Sequence, residues 1–234
     1  MLITKKLTDM DVLFRPGDLV LYKNNQLIAF NKPAGMPVQA DLTEDKALLN
    51  LAEIYTKSKL WLIHRLDRPV SGLVLFAKTK TAQQTLSADF QSRKIKKTYL
   101  AVVKNAPEAD SGTLIHYLKH DAKNNRSIVV SENTPDSQEA ILHYQKRSSS
   151  DNYHLLQIDL ETGRHHQIRA QLAAIGCPVK GDVKYGARRN NPDRSIHLHA
   201  WKLSFLHPVD QTPVDLVAPL PDDPLWKAFL AAIQ

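Results

Sequence analysis

Apolar positions near the start of the chain fall into two short runs, residues 19–22 and 27–30. These predict two strands around the polar turn Lys23-Asn24-Asn25-Gln26. The next stretch, Asn31-Lys32-Pro33-Ala34-Gly35-Met36-Pro37, holds two prolines and a glycine and reads as a fixed irregular loop. Leu48, Leu51, Ala52 and Tyr55 then recur at helical spacing, with Thr43 as the expected N-cap.

The central pattern is strand, helix, strand. Residues 73–77 form a continuous apolar run of the buried-strand type, and Ala82, Leu86 and Phe90 make a helical stripe. The basic cluster Arg93, Lys94, Lys96 and Lys97 is expected to close that helix, where cations suit its dipole. Residues 98–103 are rich in β-formers and place Tyr99, Ala101 and Val103 on one face. Loops are expected at 104–112, 121–138 and 147–152, and a strand at 154–160. A helix is predicted from about Arg164 to Ile175, stopped by Gly176 with Pro178 two residues on. Residues 197–205 alternate as a strand. Asp222-Asp223-Pro224 caps a last amphipathic helix carrying Leu225, Trp226, Phe229, Leu230 and Ile233. No repeat or long linker divides the pattern, and it lacks a strict βαβ rhythm. An α+β fold with a mixed sheet follows.

Composition adds a partner to consider. Among 234 residues Lys and Arg number 31 against 24 Asp and Glu, a net charge of +7 that suits a polyanion without requiring one. Cys177 is the only cysteine, which excludes an intramolecular disulfide and a cysteine-based zinc site. The amino terminus lacks the apolar core of a secretory signal, and no apolar run reaches membrane-spanning length. A soluble cytoplasmic protein is expected, with a monomer as the default.

Three constellations carry candidate chemistry. In His64-Arg65-Leu66-Asp67-Arg68-Pro69-Val70-Ser71-Gly72, two arginines flank one carboxylate and Pro69 keeps Arg68 out of helical geometry. Ser71-Gly72 permits a tight entry into the apolar strand, so the charged loop sits on a rigid support. The same residues would equally make a salt-bridged surface turn. In Thr162-Gly163-Arg164-His165-His166-Gln167-Ile168-Arg169, the glycine allows a sharp turn into a helix, where Arg169 shares a face with His165. Arg169 would there either meet a carboxylate from elsewhere or remain a solvated helix residue. The third group, His165-His166 and His197-Leu198-His199, lacks any motif that would gather three or four metal ligands. Phosphate-loop and nucleophile-elbow motifs are missing as well.

Taken together these segments resemble the RluA-type family of RNA pseudouridine synthases. His64–Asp67 followed by Ser71-Gly72 matches the family's most diagnostic run. Asn31-Lys32-Pro33 matches its early Lys-Pro loop, and Lys97-Thr98-Tyr99-Leu100-Ala101 its Lys-x-Tyr-x-Ala strand. Thr162-Gly163-Arg164 with His166-Gln167-Ile168-Arg169, Gly181-Asp182 with Tyr185-Gly186, and Leu198-His199-Ala200 with Leu203-Ser204-Phe205 and His207-Pro208 complete the order. The matches run from about residue 19 to 208. Val70, His165 and Ala170-Gln171 depart from the usual family residues.

The resemblance implies one catalytic domain over residues 1–234, with a large mixed, mainly antiparallel sheet, flanking helices and no separate amino-terminal RNA-binding domain. It implies a synthase that turns a uridine of structured ribosomal or transfer RNA into pseudouridine without metal or cofactor. Asp67, Tyr99 and Arg169 become the catalytic residues: the nucleophilic carboxylate, the aromatic against the base, and the carboxylate's partner. His64, Arg65, Lys32, Ser71, Arg164, His166 and Gln167 become candidates for substrate binding, Arg65 entering the RNA stack when the uridine leaves. Arg93–Lys97 with Arg188, Arg189 and Arg194 form a candidate phosphate-binding surface. The competing readings are a catalytically silent RNA-binding module of the same fold and, more distantly, a histidine-based phosphodiesterase.

Overall fold

The computed structural model describes residues 15–40 and 45–233. The first strands, β1 (Val20–Lys23) and β2 (Leu27–Lys32), form an antiparallel hairpin. Asn24 makes its turn: the side-chain oxygen accepts from the N–H groups of Gln26 and Leu27, each at 2.8 Å. Helix α1 (Leu48–Thr56) buries Leu48 and Ala52 of the predicted stripe, while Leu51 is half-buried and Tyr55 exposed, and Ala47 occupies its N-cap position. Thr43, the expected cap, lies outside the described residues.

The short strand β3 (Trp61–Leu62) precedes β4 (Ser71–Ala77), every residue of which is buried. Strand β2 pairs with β4 along its length. Paired and covered on both faces, β4 tolerates no polar alternation, which explains its continuous apolar run. Helix α2 (Lys80–Gln91) starts at Thr79, whose side chain accepts from Ala82 N–H. The basic cluster expected to close α2 does not. The helix stops at Gln91, Arg93 is left-handed (φ 61°), and Lys96 and Lys97 already belong to β5 (Lys96–Val103).

Strands β6 (Ser111–Asp121), β7 (Arg126–Val130) and β8 (Gln138–Ser149) form an antiparallel set in which β6 is central. The loops expected at 121–138 and 147–152 are therefore shorter than read, because β7 and the end of β8 fall inside them. These strands have one open face. Ile115, Ile128 and Val129 stay exposed, so the apolar alternation that marks a half-buried strand is missing. β9 (His154–Leu160) has the predicted bounds. Helix α3 (Gln167–Ala174) begins three residues later than its pattern suggests, after a 164–167 turn with His166 in the left-handed region (φ 50°). Then follow β10 (Leu198–Leu206), β11 (Pro213–Val217) and helix α4 (Pro224–Ala228). Asp223 caps α4 through the N–H groups of Leu225 and Trp226, with Pro224 at its first position, as the sequence predicts.

All eleven strands join one sheet in the order β1-β2-β4-β10-β5-β9-β8-β6-β7, with β11 on β10 and β3 on β4. Every pairing is antiparallel except the brief parallel contact of β10 with β4, at His199–Ser71 and Ala200–Gly72. The α+β class and the mixed, mainly antiparallel sheet are thus as expected. The parallel contact requires glycine: Gly72 has φ +114°, and a Cβ there would sit 2.3 Å from the Ala200 carbonyl oxygen. The two strands consequently lie close enough to bring the loop before β4 beside the centre of the sheet.

The core has three parts, the smallest formed by Leu118, Ala140 and Ala170. Tyr99, Ala101 and Val103 of β5 face the main one with Phe30, Leu75 and Phe76. Leu100 and Val102 face a smaller one built from Leu155, Trp201, Trp226 and Phe229. Burying a side chain such as Phe76 contributes roughly 1.5–3 kcal/mol. Strand β5 is therefore pinned from both sides, and Tyr99 is carried on a rigid element.

Candidate active site

The loop from His64 to Val70 is held by contacts that use almost no side chain of Asp67 itself. His64 Nε2 accepts from the Leu75 N–H at 3.0 Å, and the ring stacks on Phe90 at 4.9 Å. Burial, reinforced by the Lys97 charge, lowers the His64 pKa to about 4, so the ring is neutral. Gly35 N–H donates to the Arg68 carbonyl and Arg68 Nε to the Gly35 carbonyl, each at 2.8 Å, locking this loop to the Pro33–Pro37 loop. Arg68 also pairs with Asp45. Leu66 and Val70 turn into the core.

Lys32 ties the same two loops together and is not positioned to bind substrate as expected. It is wholly buried, and its ammonium donates to the carbonyls of Pro33 and Met36 at 2.9 Å and of Arg68 at 3.3 Å. Burial is the main cause that lowers its pKa to about 7; the Asp67 charge opposes that shift. Between pH 7 and the ordinary lysine value the unfolded chain binds more protons than the folded one, so stability rises with pH. Comparing urea midpoints of wild type and Lys32→Met from pH 6 to 9.5, the difference should move in favour of wild type as pH rises. A constant difference would mean that Lys32 does not titrate in this range.

Asp67 projects from this braced loop with its side chain 26% exposed. Its Oδ2 accepts from Arg169 Nη1 at 2.9 Å and lies 3.5 Å from His166 Nε2. The rest of the Arg169 guanidinium grips Asp182, Nε to Oδ2 at 2.6 Å and Nη2 to Oδ1 at 2.9 Å. Arg169 is only 4% exposed and Asp182 2%, and the Tyr185 ring lies 5.0 Å from the guanidinium carbon. One cation thus serves a buried bidentate carboxylate and the carboxylate at the cleft, a geometry lysine could not reproduce. The two carboxylates together hold the Arg169 pKa above its ordinary value against the opposing effect of burial, which is the largest single influence.

Tyr99 lines the same cleft from β5. Burial first, then the Asp67 charge, raises its pKa, so the hydroxyl stays protonated. The cleft is about 730 Å³, within the range of small-ligand sites. Asp67, Tyr99 and Arg169 line it together, and Arg65, Arg164 and Lys184 add positive charge to its walls. Arg65 is exposed. The sheet therefore brings together the three residues expected to carry chemistry.

Of the substrate-binding candidates, His64, Arg65, Arg164 and His166 line the cleft. Ser71 does not: it is buried, with its hydroxyl 2.9 Å from His199 Nδ1. Gln167 borders the inner recess, but its side chain is engaged within the protein. Its oxygen accepts from Thr162 Oγ1 at 2.8 Å and Arg164 N–H at 2.9 Å, while its amide donates to the Ile141 carbonyl at 3.1 Å. Those bonds build the turn that sets His166 left-handed. His165 accordingly sits outside α3 and does not share a helical face with Arg169; His166 approaches Asp67 instead.

Asp182 and Tyr185 received no role from the sequence. Their signal was the run Gly181-Asp182 with Tyr185-Gly186, whose meaning depends on an arginine thirteen residues earlier than the aspartate. The candidate phosphate surface also changes. Arg93 lies 3.8 and 3.7 Å from Glu139 and Glu161, and Lys94 3.6 Å from Asp89, so this cluster is partly neutralised. Arg188, Arg189 and Arg194 are exposed and have no ion pair among the described residues. His197 pairs with Asp223 at 3.1 Å and His199 with Ser71, so neither turns toward the cleft. Among the described residues no three His, Cys, Asp or Glu side chains converge as metal ligands, and no helix is long and apolar enough to cross a membrane.

An aspartate, a tyrosine and an arginine thus line one cleft of this mixed sheet. Residues 26–174 match the RNA pseudouridylate synthase family, and the chain belongs to it, in the RluA-type branch that its motifs indicated. It is 34% identical over 226 residues to the uncharacterized RNA pseudouridine synthase YlyB of Bacillus subtilis, covering 92% of this chain and 73% of that protein. It is 36% identical over 231 residues to ribosomal large subunit pseudouridine synthase D of Nitrosomonas europaea, covering 92% of this chain and 65% of that one. Among solved structures, human RNA pseudouridylate synthase domain containing 4 superposes with a TM-score of 0.74 at 25% identity, over 93% of this chain and 95% of the other.

Proposed function

We propose that this protein isomerises a uridine in structured ribosomal or transfer RNA to pseudouridine, with Asp67 as the reacting carboxylate. The observation that carries the reading is that the Asp67 carboxylate is partly exposed to the cleft. Arg169 occupies one face of Oδ2 from a buried position, while the cleft leaves the carboxylate open beside Tyr99. In the reaction the N1–C1′ bond breaks, the uracil turns while bound, and a C5–C1′ bond forms. The C5 hydrogen leaves as a proton and N1 gains one, so no electrons are exchanged with a partner. The Asp67 carboxylate can take part as a nucleophile or as a base toward the ribose.

A stacked base cannot reach the inner end of such a cleft, so the uridine must leave the stack at a cost of a few kcal/mol. Arg65, exposed at the cleft, is suited to occupy the vacated place through stacking and phosphate contact. Tyr99 offers a ring for the base and a protonated hydroxyl for the final proton. Arg188, Arg189 and Arg194 offer charge for the RNA backbone. The continuous sheet supports reading the described residues as one catalytic domain, with a monomer sufficient for the site. Because one relative is named for the large ribosomal subunit, ribosomal RNA is the first substrate to test.

The test uses unmodified large-subunit ribosomal RNA and transfer RNA transcripts carrying tritium at uridine C5. Isomerisation releases the label to water and leaves an RNA of unchanged length and mass. Binding without release on either set, or cleavage, would overturn the proposal in favour of a silent binding module or a phosphodiesterase.

A further inference from the structure

Beside Asp67 lies a chain of polar groups that the reaction as described does not use. Ser127 N–H donates to the Tyr185 hydroxyl oxygen at 2.7 Å, and that hydroxyl lies 2.9 Å from His166 Nδ1. On the other side of the ring, His166 Nε2 lies 3.5 Å from Asp67 Oδ2. We propose that Tyr185 and His166 are positioning residues: Tyr185 fixes the imidazole as the neutral Nε2–H tautomer, which turns the positive end of an N–H toward Asp67 Oδ2 at 3.5 Å, longer than a hydrogen bond in this structure and short enough to close into one when substrate binds. Together with Arg169 this directs Oδ2 into the protein and leaves Oδ1 for the substrate. The assignment rests on the reading of Asp67 as the reacting carboxylate.

The Tyr185 oxygen already accepts from Ser127, so its own proton needs an acceptor, and His166 Nδ1 is the acceptor within reach. A ring with its proton on Nδ1 would strand the tyrosine proton and aim a lone pair at a carboxylate oxygen. Burial is the first cause holding the Tyr185 pKa above its ordinary value, which keeps that proton in place. The ring must also stay uncharged. Burial, then the charges of Arg169, His165, Lys184 and His120, lower the His166 pKa to about 2. His165 stacks on it at 3.8 Å and His120 closes on His165 at 4.4 Å, so cations or potential cations face the ring from α3, the 182–185 turn and β6. Asp67 faces it from the catalytic loop. His166 therefore keeps its Nε2 proton and transfers none during the reaction.

Two measurements test this. In the ¹⁵N-labelled full chain, the His166 ring, assigned by its loss in His166→Gln, should show the Nε2–H tautomer and remain neutral down to pH 5. Tyr185→Phe should shift part of the population to Nδ1–H. Tritium release from the ribosomal RNA transcript supplies the second reading. His166→Gln places an amide N–H near the Nε2 position and should keep most of the turnover. His166→Asn, whose side chain reaches only the Nδ1 position, should lose about 10- to 100-fold in kcat. A merely structural role predicts the reverse order, because asparagine suits the left-handed backbone at this position better. An Nδ1–H ring, or turnover in His166→Asn equal to that in His166→Gln, would overturn the assignment. If wild type releases no tritium, the isomerase reading fails, and the ring spectrum alone judges the tautomer.

Discussion

Asp67→Ala should form no detectable pseudouridine, a loss of about 10⁴-fold or more in turnover, while folding normally and still binding RNA. The structure explains why chemistry and folding should separate so cleanly here. The loop that carries Asp67 is held by Lys32, the Gly35–Arg68 backbone pair and the His64–Leu75 bond, none of which involves the Asp67 carboxylate. Arg169, which would lose its bond to Asp67, keeps both hydrogen bonds to Asp182. Little stability should be lost, and thermal midpoints of the two proteins should agree within a few degrees. Asp67→Asn keeps the shape and removes the charge, so it should be equally inactive. Residual turnover near the wild-type rate in either variant would remove Asp67 from the mechanism. Unfolding in either would show that the carboxylate is structural.

Asp182→Ala should do the opposite. This carboxylate is buried and accounts for two of the three hydrogen bonds from Arg169. Removing it leaves a buried guanidinium with Asp67 as its one carboxylate, a change that costs about 3–5 kcal/mol. For a chain of this size that corresponds to a fall in melting temperature of about 6–20 °C. Turnover measured well below that temperature should fall too, because Arg169 would be drawn toward Asp67 and would no longer hold it in one place. Asp182→Asn, which retains one acceptor oxygen and the shape, should be intermediate on both counts. A melting temperature within about 2 °C of wild type for Asp182→Ala would mean that water replaces the carboxylate and that the pair does not brace the site.

The sequence revealed most where a residue's environment was uniform along an element. The run 73–77 is legible because β4 is paired and buried on both sides. Residues 154–160 show as a strand, and Asp223-Pro224 as a helix start, for similarly local reasons. The β6–β8 region was harder to read because one face is solvated and its turns and strands share the same polar composition. At the site, Asp67, Tyr99 and Arg169 were identified through the family resemblance, and the structure brings them together. What remained hidden was long-range and backbone-directed. Lys32 meets three carbonyls, and a carbonyl leaves no trace in a residue pattern. His166 adopts a left-handed conformation with no glycine to announce it, since the visible glycine stands three positions earlier. Asp182 becomes meaningful only once α3 has placed Arg169 beside it.

The floor and the rim of the cleft are built from different parts of the chain, and this bears on how a synthase could acquire a new target. The floor depends on β4, β5 and α3. On the rim, Asn125 belongs to the turn between β6 and β7, whose backbone carbonyls at Asn124 and Asn125 meet the Lys184 ammonium at 3.4 and 3.1 Å. Lengthening or recomposing such a turn adds little loop-closure entropy and leaves the bonds of Arg169 to Asp67 and Asp182 in place. Selection can therefore remodel the edge that first meets an RNA while the chemistry beneath it is inherited intact.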